Sequence, residues 1–163
     1  MATDLRGANL TNADLRGASL GAANLTGADL TGAKLDRASV DNTDLTGTTL
    51  TGVTWTEAKF NRATKWPINF GYLTLGMFGP GVDYSGQNLS NRYFYQQDFY
   101  GANFTGANLQ GSNLVATDLR GANLTNADLR GASLGSANLI GTIYNSSTQW
   151  PNEFDYVAAG AIL

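Results

Sequence analysis

For most of its length this chain places an apolar residue at every fifth position, and that period excludes the ordinary secondary-structure elements. The beat falls on Leu5, Leu10, Leu15, Leu20, Leu25, Leu30, Leu35, Val40, Leu45, Leu50, Trp55 and Phe60. After an interruption it resumes one position out of phase, on Tyr84, Leu89, Phe94, Phe99, Phe104 and every fifth residue to Tyr144. On an α-helix this spacing would scatter the leucines around the cylinder, and on a long strand it would alternate them between faces. A chain that runs extended for a few residues and turns a corner once per repeat satisfies it. The stretch Thr3–Leu25 returns almost unchanged as Thr117–Leu139, with Ser136 in place of Ala22.

The neighbours of the beat fit that geometry. Two residues before it stand small residues such as Ala8, Ala13, Ala23, Ala102 and Ala122. Residues two apart in an extended segment point the same way, so a small and a large side chain both face inward. The flanking positions are polar and face water, for example Asp4, Asn9, Arg6 and Thr11. Two residues after the beat come Gly7, Asn12, Gly17, Gly27 and Gly32. Glycine and asparagine suit a corner of positive φ, as at the third position of a type II turn.

This tandem A(D/N)LxG pattern, over residues 3–62 and 82–146, resembles the pentapeptide-repeat family, of the kind abundant in cyanobacteria. The resemblance implies an all-β fold, a right-handed quadrilateral β-helix with four repeats per coil. With coils about 4.8 Å apart, roughly six of them would make a rod on the order of 30 Å long. Each coil would depend on its neighbours for burial and for backbone pairing.

The sequence divides into a first repeat block (1–62), an interrupting loop (63–81), a second block (82–146) and a C-terminal cap (147–163). Two segments punctuate it, TKWPINFGY from Thr64 and TQWPNEFDY from Thr148. Proline lacks an N–H and ends a ladder, while Trp66, Phe70, Trp150 and Phe154 supply bulk to cover an apolar end. Asp155 is expected to cap a short helix through Ala159. For 63–81 the expectation is a loop extruded from one continuous helix, the alternative being a capped first helix followed by a second. The coil of Leu5–Leu20 has no visible cap; either Met1–Thr3 and solvent suffice, or the chain self-associates there.

Tyr93, Tyr95 and Tyr100 fall in outward positions where the repeat elsewhere carries Thr, Asn or Arg. They either pack beneath the 64–80 segment or form a patch for a partner.

The chain contains neither cysteine nor histidine. Ser-His-Asp and Cys-His nucleophile arrangements are therefore excluded, as are His/Cys metal sites. No phosphate-cradling GxxxxGK(S/T) loop is present. Asp4 and Asp14 lie on a solvated surface, unsuited to acid–base work. No catalytic, cofactor or metal residues are expected, and the chain reads as a non-enzyme. A net charge of −3 argues against direct nucleic-acid binding. No apolar run is long enough to cross a membrane, and no signal pattern opens the chain, so a cytoplasmic location without membrane attachment is expected.

A structural or protein–protein interaction module with an unidentified protein partner is the leading reading. The alternative follows from the resemblance: quinolone-resistance members of the family mimic DNA and bind DNA gyrase. That would need an acidic stripe, and arginine accompanies aspartate in the DLRG units here. The threonine ladder Thr11–Thr31–Thr51 is reminiscent of ice-binding β-helices, but its columns are single.

Overall fold

A computed structural model describes residues 3–68, 70–71 and 76–163. The chain divides into two compact units, Met1–Phe78 and Gly79–Leu163. Asn69, Tyr72 and the N-terminal pair Met1 and Ala2 lie outside the described residues.

In the regular coils of both units the residue just before a beat forms a parallel bridge to the residue twenty positions on. The first unit runs Asp4↔Asn24↔Asp44, Asn9↔Asp29↔Thr49, Asp14↔Lys34↔Thr54 and Ser19↔Ser39↔Lys59. The second runs Asp83↔Asn103↔Asn123, Asn88↔Asn108↔Asp128, Tyr93↔Asn113↔Ser133 and Asp98↔Asp118↔Asn138. One bridge per five residues and a return after twenty give each coil four sides.

The corners are the turns the sequence predicts. The Ala8 N–H donates to the Leu5 carbonyl at 3.1 Å, with Gly7 between them at φ 63°. The same conformation recurs at non-glycine corners, including Asn12, Ala22, Arg37 and Ala116. The beat residues and the small residues two before them face inward: Leu25, Leu30, Leu35, Leu109, Leu119 and Leu124 are fully buried, as are Ala33, Ala102 and Ala122. Where threonine or serine takes the small position, its hydroxyl donates to a backbone carbonyl. Thr43 reaches Leu20 O at 2.7 Å, Thr142 reaches Leu119 O at 2.8 Å and Ser112 reaches Leu109 O at 2.7 Å. A buried hydroxyl is tolerated because it is paired. In the second unit the core changes from leucine to aromatic, with Phe94, Phe99 and Phe104 meeting edge to face at 5.1 Å and Tyr84 stacked on Phe104 at 4.8 Å.

The segment expected to bulge differs from that expectation at both ends. Lys65 bridges Asp44 and Phe78 bridges Lys59, so the chain stays in the first unit's ladder on either side of the proline. The register at Lys65 is twenty-one rather than twenty, because one extra residue is absorbed at Asn61. Its Oδ1 accepts the Ala63 N–H at 3.1 Å and the Asn42 N–H at 3.0 Å. Asn145 does the same before the second Trp-Pro, accepting from Ser147 at 3.2 Å and Asn126 at 3.1 Å. Proline follows the bridging strand instead of breaking it.

The expected C-terminal helix is a single turn. Asp155 Oδ1 accepts the Ala158 N–H at 2.9 Å and its carbonyl the Ala159 N–H at 3.1 Å, after which Gly160 at φ 97° ends the turn. Ile162 then pairs with Ile143 and returns the chain to the ladder. A Cβ on Gly160 would lie 3.0 Å from the Ile140 Cα, so only glycine fits this exit.

Gly121 tests the corner mechanism apart from packing, because an added Cβ there would meet nothing within 4 Å. Gly121→Ala should lower unfolding stability by about 1–2 kcal/mol, the cost of a left-handed L-residue, and Gly121→Asn by less. Denaturant melts of the three proteins check it.

Candidate interaction surface

The aspartate or asparagine that precedes most beats has a task that the repeat pattern conceals. Its side-chain oxygen accepts the backbone N–H two residues on, at the first position of the corner. Asn9 Oδ1 takes the Thr11 N–H at 3.1 Å, Asp29 that of Thr31 at 2.9 Å, Asp83 that of Ser85 at 2.9 Å and Asn123 that of Thr125 at 3.0 Å. The N–H on this corner residue points away from the neighbouring coils, so a local acceptor satisfies it. The alternation of Asp and Asn at one fixed position, with the backbone donor two residues later, was the available signal for this Asx turn.

In the DLRG units the same carboxylate also holds the arginine. Arg6 lies 2.8 Å from Asp4, Arg16 2.6 Å from Asp14, Arg120 2.6 Å from Asp118 and Arg130 2.7 Å from Asp128. Hydrogen bonds from the Arg16 side chain and backbone hold the Asp14 carboxyl down at about 2, and Arg130 brings Asp128 to about 2. Asp44 reaches about 2 through the Thr46 hydroxyl and then Lys65. Asp4 is lowered in the same way by Arg6. These groups stay ionised far below neutral pH and have no proton to give as a general acid. A shallow polar cleft of about 1010 Å³ is lined by Asp14, Arg16, Asp36, Arg37, Thr54 and Thr56. Asp36 in it is already engaged by the Thr54 hydroxyl at 2.6 Å and the Thr56 N–H at 2.8 Å. Among the described residues no group of His, Cys, Asp or Glu could hold a metal ion. No helix among them is long and apolar enough to cross a membrane.

The three outward tyrosines depart from this chemistry. Tyr93 occupies a position that in most repeats of the second unit carries the capping Asp or Asn, and tyrosine offers no short carboxylate or carboxamide oxygen for the corner. All three are exposed, Tyr93 at 63%, Tyr95 at 42% and Tyr100 at 46%, so they are not core packing residues. Tyr93 and Tyr95 lie on one side of the coil with ring centroids 6.1 Å apart. On the next side the Arg120 guanidinium carbon lies 5.9 Å from the Tyr100 ring centre, at the outer limit of a cation–π contact.

Trp66 and Phe70 stack at 5.1 Å, and Trp66 meets Trp55 at 5.6 Å and Phe60 at 5.5 Å. In the second unit Trp150 stacks on Tyr156 at 4.8 Å and lies 5.8 Å from Tyr144 and 6.0 Å from Phe154. Both Trp-Pro segments thus lay their rings against the last aromatic beats.

The pentapeptide-repeat profile matches this sequence in 8 copies, over residues 3–40, 82–115 and 108–143. The chain belongs to the pentapeptide-repeat family. Its members are right-handed quadrilateral β-helices, in keeping with the four-sided ladder of each unit. Among solved structures, the chain is similar to alr5209, a pentapeptide-repeat protein from Nostoc PCC 7120. The identity is 23%, covering 97% of this chain and 82% of that one, with a TM-score of 0.29. Rfr23 from the cyanobacterium Cyanothece 51142 is 21% identical over 91% and 88% of the two chains, with a TM-score of 0.31. QnrB1, a plasmid-mediated fluoroquinolone resistance protein, is 13% identical over 89% and 91%, with a TM-score of 0.33. No curated protein matches the sequence.

The depressed carboxylates set an acid limit on this pentapeptide-repeat fold. Their folded values lie near 2 against an ordinary 3.8, so the stability they contribute is complete above about pH 4 and drains away as pH falls toward 2. Thermal melts from pH 7 to pH 2 should show a level plateau and then a fall below pH 4. Asp128→Asn keeps the corner acceptor but removes one titrating group, and should flatten that fall.

Proposed function

We propose that this pentapeptide-repeat protein is a non-enzymatic protein–protein interaction module whose contact patch is Tyr93, Tyr95 and Tyr100, acting in the cytoplasm. The observation that carries this reading is the exposure of three aromatic rings at positions where the repeat otherwise supplies capping or hydrophilic groups. Tyrosine contributes large contact area with little side-chain entropy to lose, which is why it is enriched at protein interfaces. The aspartates of the DLRG units are committed to corner N–H groups and arginines, which suits a surface that docks better than one that exchanges protons. The Trp66–Phe70 and Trp150–Phe154 clusters act as end caps in this reading. A second contact, between copies of this chain through the coil of residues 3–20, belongs to the same reading.

DNA mimicry toward gyrase is the competing function. It requires unneutralised negative charge along a face, and the Asp–Arg pairs at Asp4, Asp14, Asp118 and Asp128 each cancel it locally.

A pull-down with the wild type and with Tyr95→Ser/Tyr100→Thr tests the patch. The expected result is a specific protein captured by the wild type and lost from the variant, with unchanged circular dichroism. Equal recovery of every partner would remove the patch, and recovery of DNA gyrase by both proteins would favour the competing function.

A further inference from the structure

The near-identical stretches Thr3–Leu25 and Thr117–Leu139 allow one surface to be compared covered and uncovered. In the second unit a coil precedes the repeat, and Leu119, Leu124, Leu129 and Leu134 are buried. In the first unit their counterparts Leu5, Leu10, Leu15 and Leu20 are half-buried. The backbone differs in the same way. The Asp118 N–H donates to Gln97 O at 3.0 Å, and its carbonyl accepts the Phe99 N–H at 2.8 Å. Among the described residues, neither the N–H nor the carbonyl of Asp4, Asn9, Asp14 or Ser19 has a backbone partner. Among the described residues, the underside of the coil 3–20 therefore presents four open parallel-bridge positions around a ring of leucines.

The closing strand of the second unit presents the complementary groups. Ile162 donates to Thr142 O at 2.8 Å and accepts from the Tyr144 N–H at 3.1 Å, which uses both of its backbone groups toward the coil behind it. That pairing puts Ala161 in the register of Gln97 and Leu163 in the register of Phe99. The Ala161 carbonyl and the Leu163 N–H are the two groups that a bridge to Asp4, Asn9, Asp14 or Ser19 needs, and among the described residues neither has a backbone partner. The side chains agree with the backbone. Leu163 stands at a beat position and is 86% exposed, and Ile162 is 52% exposed.

We propose that copies of this chain associate head to tail, the strand Ala161–Leu163 of one pairing in parallel with the coil 3–20 of the next. Leu163 then enters the mouth ringed by Leu5, Leu10, Leu15 and Leu20, as Phe99 lies beneath Leu119. Each open strand edge is a template for added pairing, and here the two edges match in direction and register. The contact joins different surfaces, so it is heterologous and either closes into a ring or runs on. It rests on the contact between copies through residues 3–20 proposed above and uses none of the three tyrosines, so its failure and that of the tyrosine patch are separate results.

The chain has no cysteine, which makes thiol cross-linking a clean test. Ile162→Cys is mixed under mild oxidation with Asp4→Cys, Asn9→Cys, Asp14→Cys or Ser19→Cys, one at a time. Bridged residues on neighbouring strands lie within disulfide range. At least one mixture should give the mixed disulfide on the order of a hundredfold faster than either variant gives its own, as thiols held at high effective concentration do. The fold of each variant is checked by its thermal melt, and the four exposed coil positions guard against one that perturbs its own corner. Rates no higher in every mixture than for each variant alone would overturn the proposal. Faster self-coupling of a coil variant would overturn it too, by showing that two like coils meet.

Discussion

Everything in this protein depends on the parallel pairing of each residue before a beat with the residue twenty positions on. A single five-residue repeat closes no ladder and buries no leucine. Only when the chain has gone once around do Leu25 and Leu45 find the coils that cover them, and only then does each backbone group next to the beat find its partner. The corner conformation makes that return distance constant. Positive φ at one residue in five bends the chain by the same angle each time, and the Asx oxygen satisfies the corner donor that no neighbouring coil can reach. Turn chemistry and inter-coil pairing are therefore one requirement met by one repeat.

Much of this was legible in the sequence because it is periodic. The inward pairing of leucine with alanine and the corner role of glycine and asparagine follow from side-chain direction and backbone sterics alone. The outward placement of Tyr93, Tyr95 and Tyr100 came from register, and their exposure agrees with it. The Asx role of Asp and Asn was hidden because polarity on an outward face already had a sufficient explanation in solvation. The segment after Phe60 departs from the expectation at its ends for a different reason. Proline 67 reads as a breaker, but it follows the bridging Lys65, so it ends no hydrogen bond that the ladder needs. The expected helix after Asp155 was cut to one turn by Gly160 and by the return of Ile162 to its partner, tertiary demands that local propensity does not contain.

The same economy fixes the state of the aspartates in the arginine-bearing repeats. An aspartate held near 2 by an arginine and a backbone N–H is a structural anion, fixed in charge and in direction. Its pairing with arginine also cancels that charge locally at Asp4, Asp14, Asp118 and Asp128. A few side chains on this surface break the repeat. Tyr93 does so at the cost of one corner cap, and with Tyr95 and Tyr100 it places exposed rings where the repeat elsewhere carries hydrophilic side chains.

The pairing itself is open to direct measurement by nuclear Overhauser contacts between backbone protons of the second unit. Strong contacts linking Asn108 with Asp128 and Asn123 with Ile143, each twenty residues apart, are the predicted result. Contacts confined to residues three and four apart, or none across twenty, would contradict the ladder and with it the whole account.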